Sequence, residues 1–250
     1  MGDHRSGTTL LENILAQLKG TITVGELRLL SDHYQKSGPG EKWQWQCSCG
    51  KDIGRCSFWQ KIVAPSANDV MVNTKISKKS TCEEIRSFTC LYHRIFSHVT
   101  DSLLIDSSKN IDQGILLKRK LKDELDIYIV TRNFLDVAAS KYFHAKLKGI
   151  NKNALILLFV SLWTQIQLYT LVLFRKGTHV RYCDLVNRDS RNALIQSISS
   201  RYNLCVQKTP TTFVNANIFH SIAGTPSRFQ TKPIKFSTKR YSFIRDIVKF

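Results

Sequence analysis

The sequence predicts an α/β fold in three layers, with a central parallel sheet flanked by helices. Three observations predict it. Short apolar strand candidates alternate with helical patterns, which is the order of strand–helix–strand units. Each strand candidate ends in polar or charged residues, as expected at the ligand-binding edge of a parallel sheet. A glycine loop, GDHRSGTT at residues 2–9, opens the chain directly before a helical pattern.

The elements follow one another along a chain of 250 residues, a length that suits a single domain over residues 1–250. Apolar residues at helical spacing predict the first helix, and an irregular excursion rich in Cys and Trp follows it. In order, the patterns predict a helix at 9–19, the excursion at 31–62, a helix at 82–98, a strand at 103–105, a helix at 111–122, a strand ending at Arg132, helices at 136–147 and 153–174, a strand at 178–182 and a basic tail at 230–250.

The segment 153–174 contains no charged residue and is long enough to cross a membrane. Thr164, Gln165 and Gln167 lie in its middle, where polar groups would be costly in a bilayer. The sequence therefore favours a long buried core helix, and a membrane span is not expected. No signal-peptide pattern is visible in residues 1–15, so we expect a cytoplasmic protein.

The charge balance is strongly basic. The chain has 37 Lys+Arg against 19 Asp+Glu, a formal net charge of +18. Such an excess favours anionic partners, whether nucleotides, nucleic acid, acidic glycans or a membrane surface. The basic residues are spread along the chain, so charge alone does not choose among these partners.

The opening loop has the glycine spacing of the nucleotide-triphosphate loop G-x-x-x-x-G-K-[ST], with Thr8 in the place of the lysine. Backbone N–H groups of such a loop and the following helix N-terminus suit an anion. The sequence lacks the lysine that reaches the far phosphates of a triphosphate. The pattern therefore predicts a P-loop-like loop that binds a shorter anionic group, with Arg5 as the nearby positive charge. The alternative is a glycine turn before a capped helix.

A second candidate anion site lies later in the chain. Arg132 ends a strand candidate, and Ser140 follows eight residues on, within the next helix. A guanidinium and a hydroxyl in this arrangement could hold a second phosphate. The alternatives are a solvated or ion-paired arginine and a small packing serine. A later loop, HSIAGTPSRF, adds His220, Gly224 and Arg228.

Taken in order, RSGTTLL, GEL, DSSKN, RNFLDVAASKY, RYCDL and HSIAGTPSRF resemble the PAPS-dependent sulfotransferases, in the bacterial-type branch related to tyrosylprotein and carbohydrate sulfotransferases. The resemblance covers residues 2–229. It implies 3′-phosphoadenosine 5′-phosphosulfate (PAPS) as the donor cosubstrate. Its 5′-phosphosulfate would be held by Arg5, Ser6, Gly7, Thr8 and Thr9. Its 3′-phosphate would be held by Arg132 and Ser140, with Gly224 and Arg228 closing near the nucleotide.

The resemblance also implies an apolar strand before Gly2, where this sequence has only Met1. The first strand is therefore expected to be truncated: either the true start lies upstream, or this product is a fragment.

Sulfuryl transfer is an in-line displacement that depends on positioning and electrostatics. Glu26 is the candidate general base, because related tyrosylprotein enzymes have a glutamate at a similar distance from the phosphosulfate loop. Arg5 is the cation for the transferring group, and Lys109 of DSSKN would steady the same charge or anchor the acceptor. His4 and His220 are alternative bases. No metal is expected, and the acceptor is a hydroxyl of an unidentified glycan, peptide or small molecule.

Three cysteines of the excursion, Cys47, Cys49 and Cys56, have the spacing C-x-C-x₆-C. They are one ligand short of a tetrahedral zinc site unless a His or Cys from elsewhere joins them. A Cys–Cys bridge and packed thiols are the other possibilities. We expect the excursion to be structural and to form part of the acceptor pocket with Trp43, Trp45 and Trp59.

Three other functions are compatible with parts of the sequence. A basic nucleic-acid-binding protein would explain the charge but not the ordered motifs, and no specific nucleic-acid partner is expected. An ATP-using kinase would need the lysine that Thr8 replaces and a metal-binding aspartate, for which Asp106 is the only candidate. An inactive, truncated relative would bind the nucleotide only.

Overall fold

The computed structural model describes residues 1–35, 46–63, 73–99, 103–205 and 220–222. The chain divides into two compact units. Among the described residues, the first unit contains Met1–Thr8 and Asp126–Arg191, and the second contains Thr9–Leu125 and the residues from Asn192 to 222. The predicted site residues Gly224 and Arg228, the rings of Trp43 and Trp45, and the tail at 230–250 lie outside the described residues.

Helices make up most of the described structure, with four short strands between them. In chain order the elements are α1 (Thr8–Leu15), β1 (Thr21–Gly25), α2 (Leu30–Gln35), α3 (Ser57–Val63), α4 (Cys82–Ser97), β2 (Leu103–Asp106), α5 (Ile111–Leu121), β3 (Tyr128–Thr131), α6 (Phe134–Leu147), α7 (Ala154–Leu173), β4 (Thr178–Arg181), α8 (Tyr182–Val186) and α9 (Arg188–Arg201).

Strand pairing is parallel in both units. In the first unit β3 pairs with β4, with Tyr128 opposite Thr178, and in the second unit β1 pairs with β2, with Thr21 opposite Leu103. The α/β class and the parallel pairing are thus confirmed. The described residues form two separate two-stranded sheets, so the single central sheet of a three-layer fold is not among the features they show.

The first two residues of the chain pair with β3. Gly2 forms a parallel bridge with Val130, and the Val130 N–H donates to the Met1 carbonyl at 2.8 Å. A Cβ on Gly2 would lie 2.6 Å from Ser6 Oγ, so only glycine fits this close approach. The loop that follows is therefore anchored to β3 at its first residue.

Most predicted elements are present in the structure, although the predicted helix at 9–19 ends earlier, at Leu15. The helices α4, α5 and α6 and the strands β2, β3 and β4 all lie where the sequence predicts them. The strand β1, with the sequence TITVG, was not predicted, although four of its five residues are buried. The excursion predicted at 31–62 is partly helical, because it contains α3 and most of α2.

The core of the second unit draws on that excursion. Trp59, Ile62 and Phe88 are fully buried together in one apolar cluster with residues of β1, α2 and α4. Burying a large apolar side chain contributes about 1.5–3 kcal/mol. Trp59 therefore belongs to the packed interior, and the prediction that its ring lines an acceptor pocket is wrong.

The helix α7 corrects a second prediction, that segment 153–174 is a buried core helix. Its buried face is a stripe of mostly small or polar residues at helical spacing: Ala154, Leu157, Ser161, Gln165 and Leu168. This stripe packs against α6 and β3. The large apolar side chains point away from it, and Phe159 and Trp163 are 67% and 62% exposed.

The same helix is long and apolar enough to cross a membrane, judged by length and composition. Only 17% of the most apolar 18-residue stretch of this helix is buried inside the protein. A single helix of this kind is weak evidence for a span, because core helices of soluble proteins pass the same test. The sequence-based expectation that no segment spans a membrane therefore stays a prediction.

Candidate functional site

The opening loop of the first unit has the geometry of a turn that leads into a helix. The Ser6 N–H donates to the Asp3 carbonyl at 3.1 Å, and α1 begins at Thr8. Gly7 has φ +110°, and a Cβ there would lie 2.6 Å from the Tyr182 ring. Glycine is therefore required at this position, both for its backbone conformation and for the approach of the ring.

An acidic residue inside this loop is neutralised locally. Asp3 is buried, and its carboxylate pairs with the Lys141 ammonium of α6 at 2.7 Å. A carboxylate inside an anion-binding loop would otherwise repel the ligand. The Lys141 pairing, which the sequence did not predict, removes that obstacle.

The structure brings together three residues that the sequence assigned to two separate phosphate contacts. Arg5 Nε donates to Ser140 Oγ at 3.0 Å, and Arg132 Nη1 donates to the Arg5 carbonyl at 3.1 Å. The Arg132 guanidinium lies 4.0 Å from the centre of the Tyr182 ring, a cation–π contact that fixes its orientation. The loop, the end of β3 and the helix α6 thus meet in one cationic cluster, which we define as Arg5, Arg132 and Ser140.

Two buried groups, one on Arg132 itself and one on the neighbouring loop residue Ser6, have no hydrogen-bond partner among the described residues. Ser6 Oγ and Arg132 Nε are both buried without a hydrogen bond. Leaving a buried polar group unsatisfied costs about 1–3 kcal/mol. Both groups can donate, so an anion in the cluster would satisfy them.

The charges in the cluster also favour an anion. The pKa of Arg5 is lowered, first by burial and then by the positive charge of Arg132. The pKa of His144 on α6 is lowered by burial and then by the charge of Arg5. Each shift shows that positive charge is already unfavourable here. A bound anion would relieve that repulsion.

In the second unit the structure joins two other predicted site residues. Because β1 and β2 are parallel neighbours, their carboxyl ends meet at one edge. Glu26 follows β1 and Lys109 lies three residues after β2. Their side chains form an ion pair, and each is 9% exposed. Thr9, the remaining predicted loop residue, is the second residue of α1 and belongs to this unit.

Asp106 holds the turn that carries Glu26. Its Oδ1 accepts from the N–H groups of Ser108 at 2.7 Å and Leu27 at 3.4 Å, and its Oδ2 accepts from the Tyr92 hydroxyl at 2.6 Å. Burial raises the pKa of both Asp106 and Tyr92. Both carboxylate oxygens accept hydrogen bonds from the protein, so Asp106 has a structural role: it connects the turn after β1 with α4. This role argues against the kinase alternative, which needs Asp106 as a metal ligand.

A buried carboxyl group that the sequence did not predict lies near β1. Glu12 of α1 is buried, and its Oε1 accepts from Ser221 Oγ at 3.1 Å. Ser221 Oγ also lies 2.8 Å from Thr23 Oγ1 of β1. Burial raises the pKa of Glu12. The sequence did contain one indication of this buried group, because Glu12 lies among the apolar residues of α1.

Residues 220–222 extend the edge of the second unit's sheet. Ile222 forms a parallel bridge with Gly25, donates its N–H to the Val24 carbonyl at 2.9 Å and accepts from the Glu26 N–H at 2.9 Å. A Cβ on Gly25 would lie 2.1 Å from the Ile222 carbonyl oxygen, so this approach requires glycine. The backbone position of Glu26 therefore depends on Ile222.

Four potential metal ligands lie close together in the same unit. Cys47, Cys49, Cys56 and His220 place their ligand atoms within 4.8 Å of one another. All three cysteines are free thiols. The pKa of Cys56 is lowered chiefly by the hydrogen bond from Cys47, which in turn raises the pKa of Cys47.

His220, an alternative base in the sequence-based assignment, is held in place by its neighbours. Its ring stacks on Phe58 with centroids 4.4 Å apart, and its Nδ1 faces the thiols of Cys47 and Cys56. Its carbonyl accepts from Trp59 Nε1 at 2.9 Å. The other alternative base, His4, is exposed on the opening loop of the first unit.

The described residues also form an open surface cleft of about 330 Å³ between α4 and the end of α5. Its lining includes Arg86, His93, Lys120 and Glu124. None of the predicted site residues lines it. The cleft therefore gives no support to the sequence-based site.

The geometry yields a cationic cluster in the first unit, and a buried Glu26–Lys109 pair and a Cys–His cluster in the second. Comparison with known proteins found no matching family model, no matching curated protein and no matching solved structure. No binding or catalytic role can therefore be transferred to these residues from a relative.

Proposed function

We propose that the protein is a sulfotransferase that moves a sulfuryl group from PAPS to a hydroxyl of an acceptor. The observation that carries this proposal is the cationic cluster, where Arg5, Arg132 and Ser140 converge beside two buried donors without partners. A P-loop-like, three-layer arrangement around a central parallel sheet is part of the same proposal. It is supported by parallel pairing in both units and by the glycine loop that opens α1.

The donor nucleotide would bind through the first unit's loop and through Arg132. The Ser6 hydroxyl and the N–H groups at the start of α1 would hold the 5′-phosphosulfate, together with Arg5. Arg132 and Ser140 would hold the 3′-phosphate, which distinguishes this nucleotide from ATP. Charge-assisted hydrogen bonds of this kind are about twice as strong as neutral ones.

In the transfer step the acceptor oxygen forms a bond to sulfur, and the bond from sulfur to the bridging phosphate oxygen breaks. Glu26, in the second unit, is the proposed general base for the acceptor's proton. The electron pair of the broken bond stays with 3′-phosphoadenosine 5′-phosphate, the leaving group, whose developing charge Arg5 stabilises. Lys109, which is ion-paired with Glu26, orients that carboxylate and contributes positive charge.

The acceptor is a hydroxyl-bearing glycan, peptide or small molecule. The formal charge of +18 supports an acceptor that is itself anionic. The chemistry requires no metal ion, because the departing charge is met by arginine and lysine.

A nucleotide-binding protein without turnover is the second candidate, and the same cationic cluster supports it. The two candidates share donor binding and differ in the reaction. The experiment therefore measures binding and turnover separately.

Binding is tested with 3′-phosphoadenosine 5′-phosphate and with adenosine 5′-phosphate, which lacks the 3′-phosphate. We expect wild type to prefer the first, and Arg132→Ala to lose that preference by roughly 10- to 100-fold, since a hydrogen bond to a charged group contributes about 1.5–3 kcal/mol. Arg181→Ala is the matched control, because Arg181 is an exposed arginine of the same unit. An unchanged preference in Arg132→Ala would refute the site.

Turnover is tested by donor consumption with a panel of hydroxyl acceptors, for wild type and Glu26→Gln. A sulfotransferase should release 3′-phosphoadenosine 5′-phosphate only when an acceptor is present. General-base catalysis contributes about 10²–10⁴-fold, so Glu26→Gln should lose that factor in rate while binding the donor normally. Normal binding with no turnover on any acceptor would favour the nucleotide-binding candidate.

A further inference from the structure

The Cys–His cluster of the second unit has the composition of a closed structural metal site. Three thiols and one imidazole converge, and Cys47 and Cys56 are 0% and 1% exposed. Cys₃His is one of the ligand sets in which zinc is held by four protein ligands with no open position. The sequence supplied only three of these ligands, because His220 is 164 positions from Cys56.

Three of the six distances between the ligand atoms lie within about 0.3 Å of the edges of a zinc tetrahedron. Bonds of about 2.3 Å to sulfur and about 2.0–2.1 Å to nitrogen give edges of about 3.8 Å between sulfurs and about 3.6 Å between sulfur and nitrogen. In the structure, Cys49 Sγ lies 3.8 Å from Cys56 Sγ. His220 Nδ1 lies 3.6 Å from Cys47 Sγ and 3.3 Å from Cys56 Sγ.

The surroundings hold the Cys47 backbone and the His220 ring in place without a metal. The Gly50 N–H donates to the Cys47 carbonyl at 2.9 Å, and Gly50 has φ +86°, so the chain turns back between Cys49 and Cys56. The His220 ring is fixed by stacking on Phe58. Such preorganisation is the role of the groups around a metal site's ligands.

We propose that Cys47, Cys49, Cys56 and His220 bind one zinc ion, which ties residues 220–222 to the excursion at 46–56. On binding, the three thiols release their protons to solvent, and neutral His220 donates its Nδ1 lone pair, so the zinc thiolate site carries one net negative charge. Ser48 and Ser221 reinforce the link, with the Ser221 N–H donating to Ser48 Oγ at 2.9 Å.

The consequence of this link lies at the end of β1. Ile222 accepts from the Glu26 N–H and donates to Val24, so a metal that holds His220 also holds the backbone of Glu26. The zinc ion, held by four protein ligands, is therefore structural, and it positions the backbone of Glu26 through Ile222. This site does not depend on the sulfotransferase proposal, since it rests on ligand geometry alone.

The metal content of the purified 250-residue protein tests the site directly. We expect about one zinc per chain, and cobalt replacing zinc should give the sulfur-to-metal charge-transfer bands and intense visible bands of a tetrahedral thiolate site. Cys49→Ser and His220→Asn should lose most of the metal. The matched controls Cys90→Ser and His93→Asn change exposed residues of α4 and should retain it. Wild-type protein with no metal and no cobalt spectrum under reducing conditions would overturn the proposal, whether or not any variant folds.

Hydrogen exchange tests the link to β1. Removing zinc from wild type with a chelator should speed exchange at the Ile222 and Glu26 amides by about tenfold or more, because local opening becomes easier. The Val130 amide of the first unit, which is bonded to Met1, serves as the internal control and should be unchanged. Restoring zinc should restore protection. Equal exchange at Ile222 with and without bound zinc would refute the positioning role.

Discussion

Glu12 is a carboxyl group inside the packed interior of the second unit, with Ser221 Oγ as a hydrogen-bond donor. Its pKa is raised above the ordinary value of 4.5, chiefly by burial, with the negative charge of Glu26 adding to the shift and Lys109 opposing it. The folded state therefore favours the neutral acid. The resulting contribution to the free energy of unfolding is fully present below pH 4.5. It is lost as the pH rises through the folded-state pKa of Glu12.

Glu12→Gln should reveal this dependence, because glutamine keeps an acceptor oxygen and is always neutral. We expect the free energy of unfolding of Glu12→Gln, relative to wild type, to increase as the pH rises above 4.5 and then to level off. Urea unfolding across that pH range provides the measurement. Glu83→Gln changes an exposed glutamate of α4 and should show no such trend. A difference that stays constant with pH would contradict the buried neutral acid.

At the residue scale, a local pattern in the sequence brought together side chains that are also close in the structure. Arg132 and Ser140 were paired by their spacing from a strand end into a helix, and the structure places both against Arg5. The position of His220 beside the cysteines and the buried role of Glu12 were not predicted, because their partners are distant in sequence. Ser221 lies 209 positions from Glu12, and no local pattern encodes such a contact.

At the scale of elements, α7 shows what average hydropathy leaves out. Its apolar composition predicts that the helix is buried. The face that packs against α6 and β3, however, consists of residues small enough to allow close approach and of a glutamine that forms a hydrogen bond. Ser161 is fully buried and Gln165 is 3% exposed, whereas Leu173 is 81% exposed. Gln165 Oε1 accepts from the Arg132 N–H at 3.0 Å, so this helix fixes the end of β3. The strand β1 was missed for the opposite reason, since five residues with two threonines give little pattern to detect.

Gln165→Ala should therefore destabilise the first unit. It leaves the Arg132 N–H without its acceptor, which costs about 1–3 kcal/mol for a buried group. The matched control is Gln167→Ala, an exposed glutamine of the same helix, for which we expect a change within about 0.5 kcal/mol. Urea unfolding followed by circular dichroism compares the two. Equal effects of the two substitutions would show that the contact with Arg132 contributes nothing to stability.

At the scale of the whole molecule, the net charge of +18 attracts any polyanion. This attraction is distinct from the cationic cluster, which offers a small number of oriented donors. The two kinds of binding can be separated by salt, because each phosphate neutralised on a single strand contributes a slope of about −0.7 to the dependence of log affinity on log salt.

Raising salt fourfold should thus weaken RNA binding far more than nucleotide binding. An RNA with six neutralised phosphates loses about three-hundredfold in affinity at that slope, whereas a mononucleotide, which has no condensed counterion layer to release, loses much less. Isotherms for 3′-phosphoadenosine 5′-phosphate and for bulk RNA at two salt concentrations provide the measurement. Arg132→Ala should weaken nucleotide binding by about tenfold or more, because it removes a charged hydrogen-bond donor. RNA binding should change little, because Arg132 is one of 37 basic residues that contribute to the overall positive potential. If instead both ligands showed the same steep salt dependence and neither responded to Arg132→Ala, the first unit would hold anions by overall charge alone, as a nucleic-acid-binding protein does.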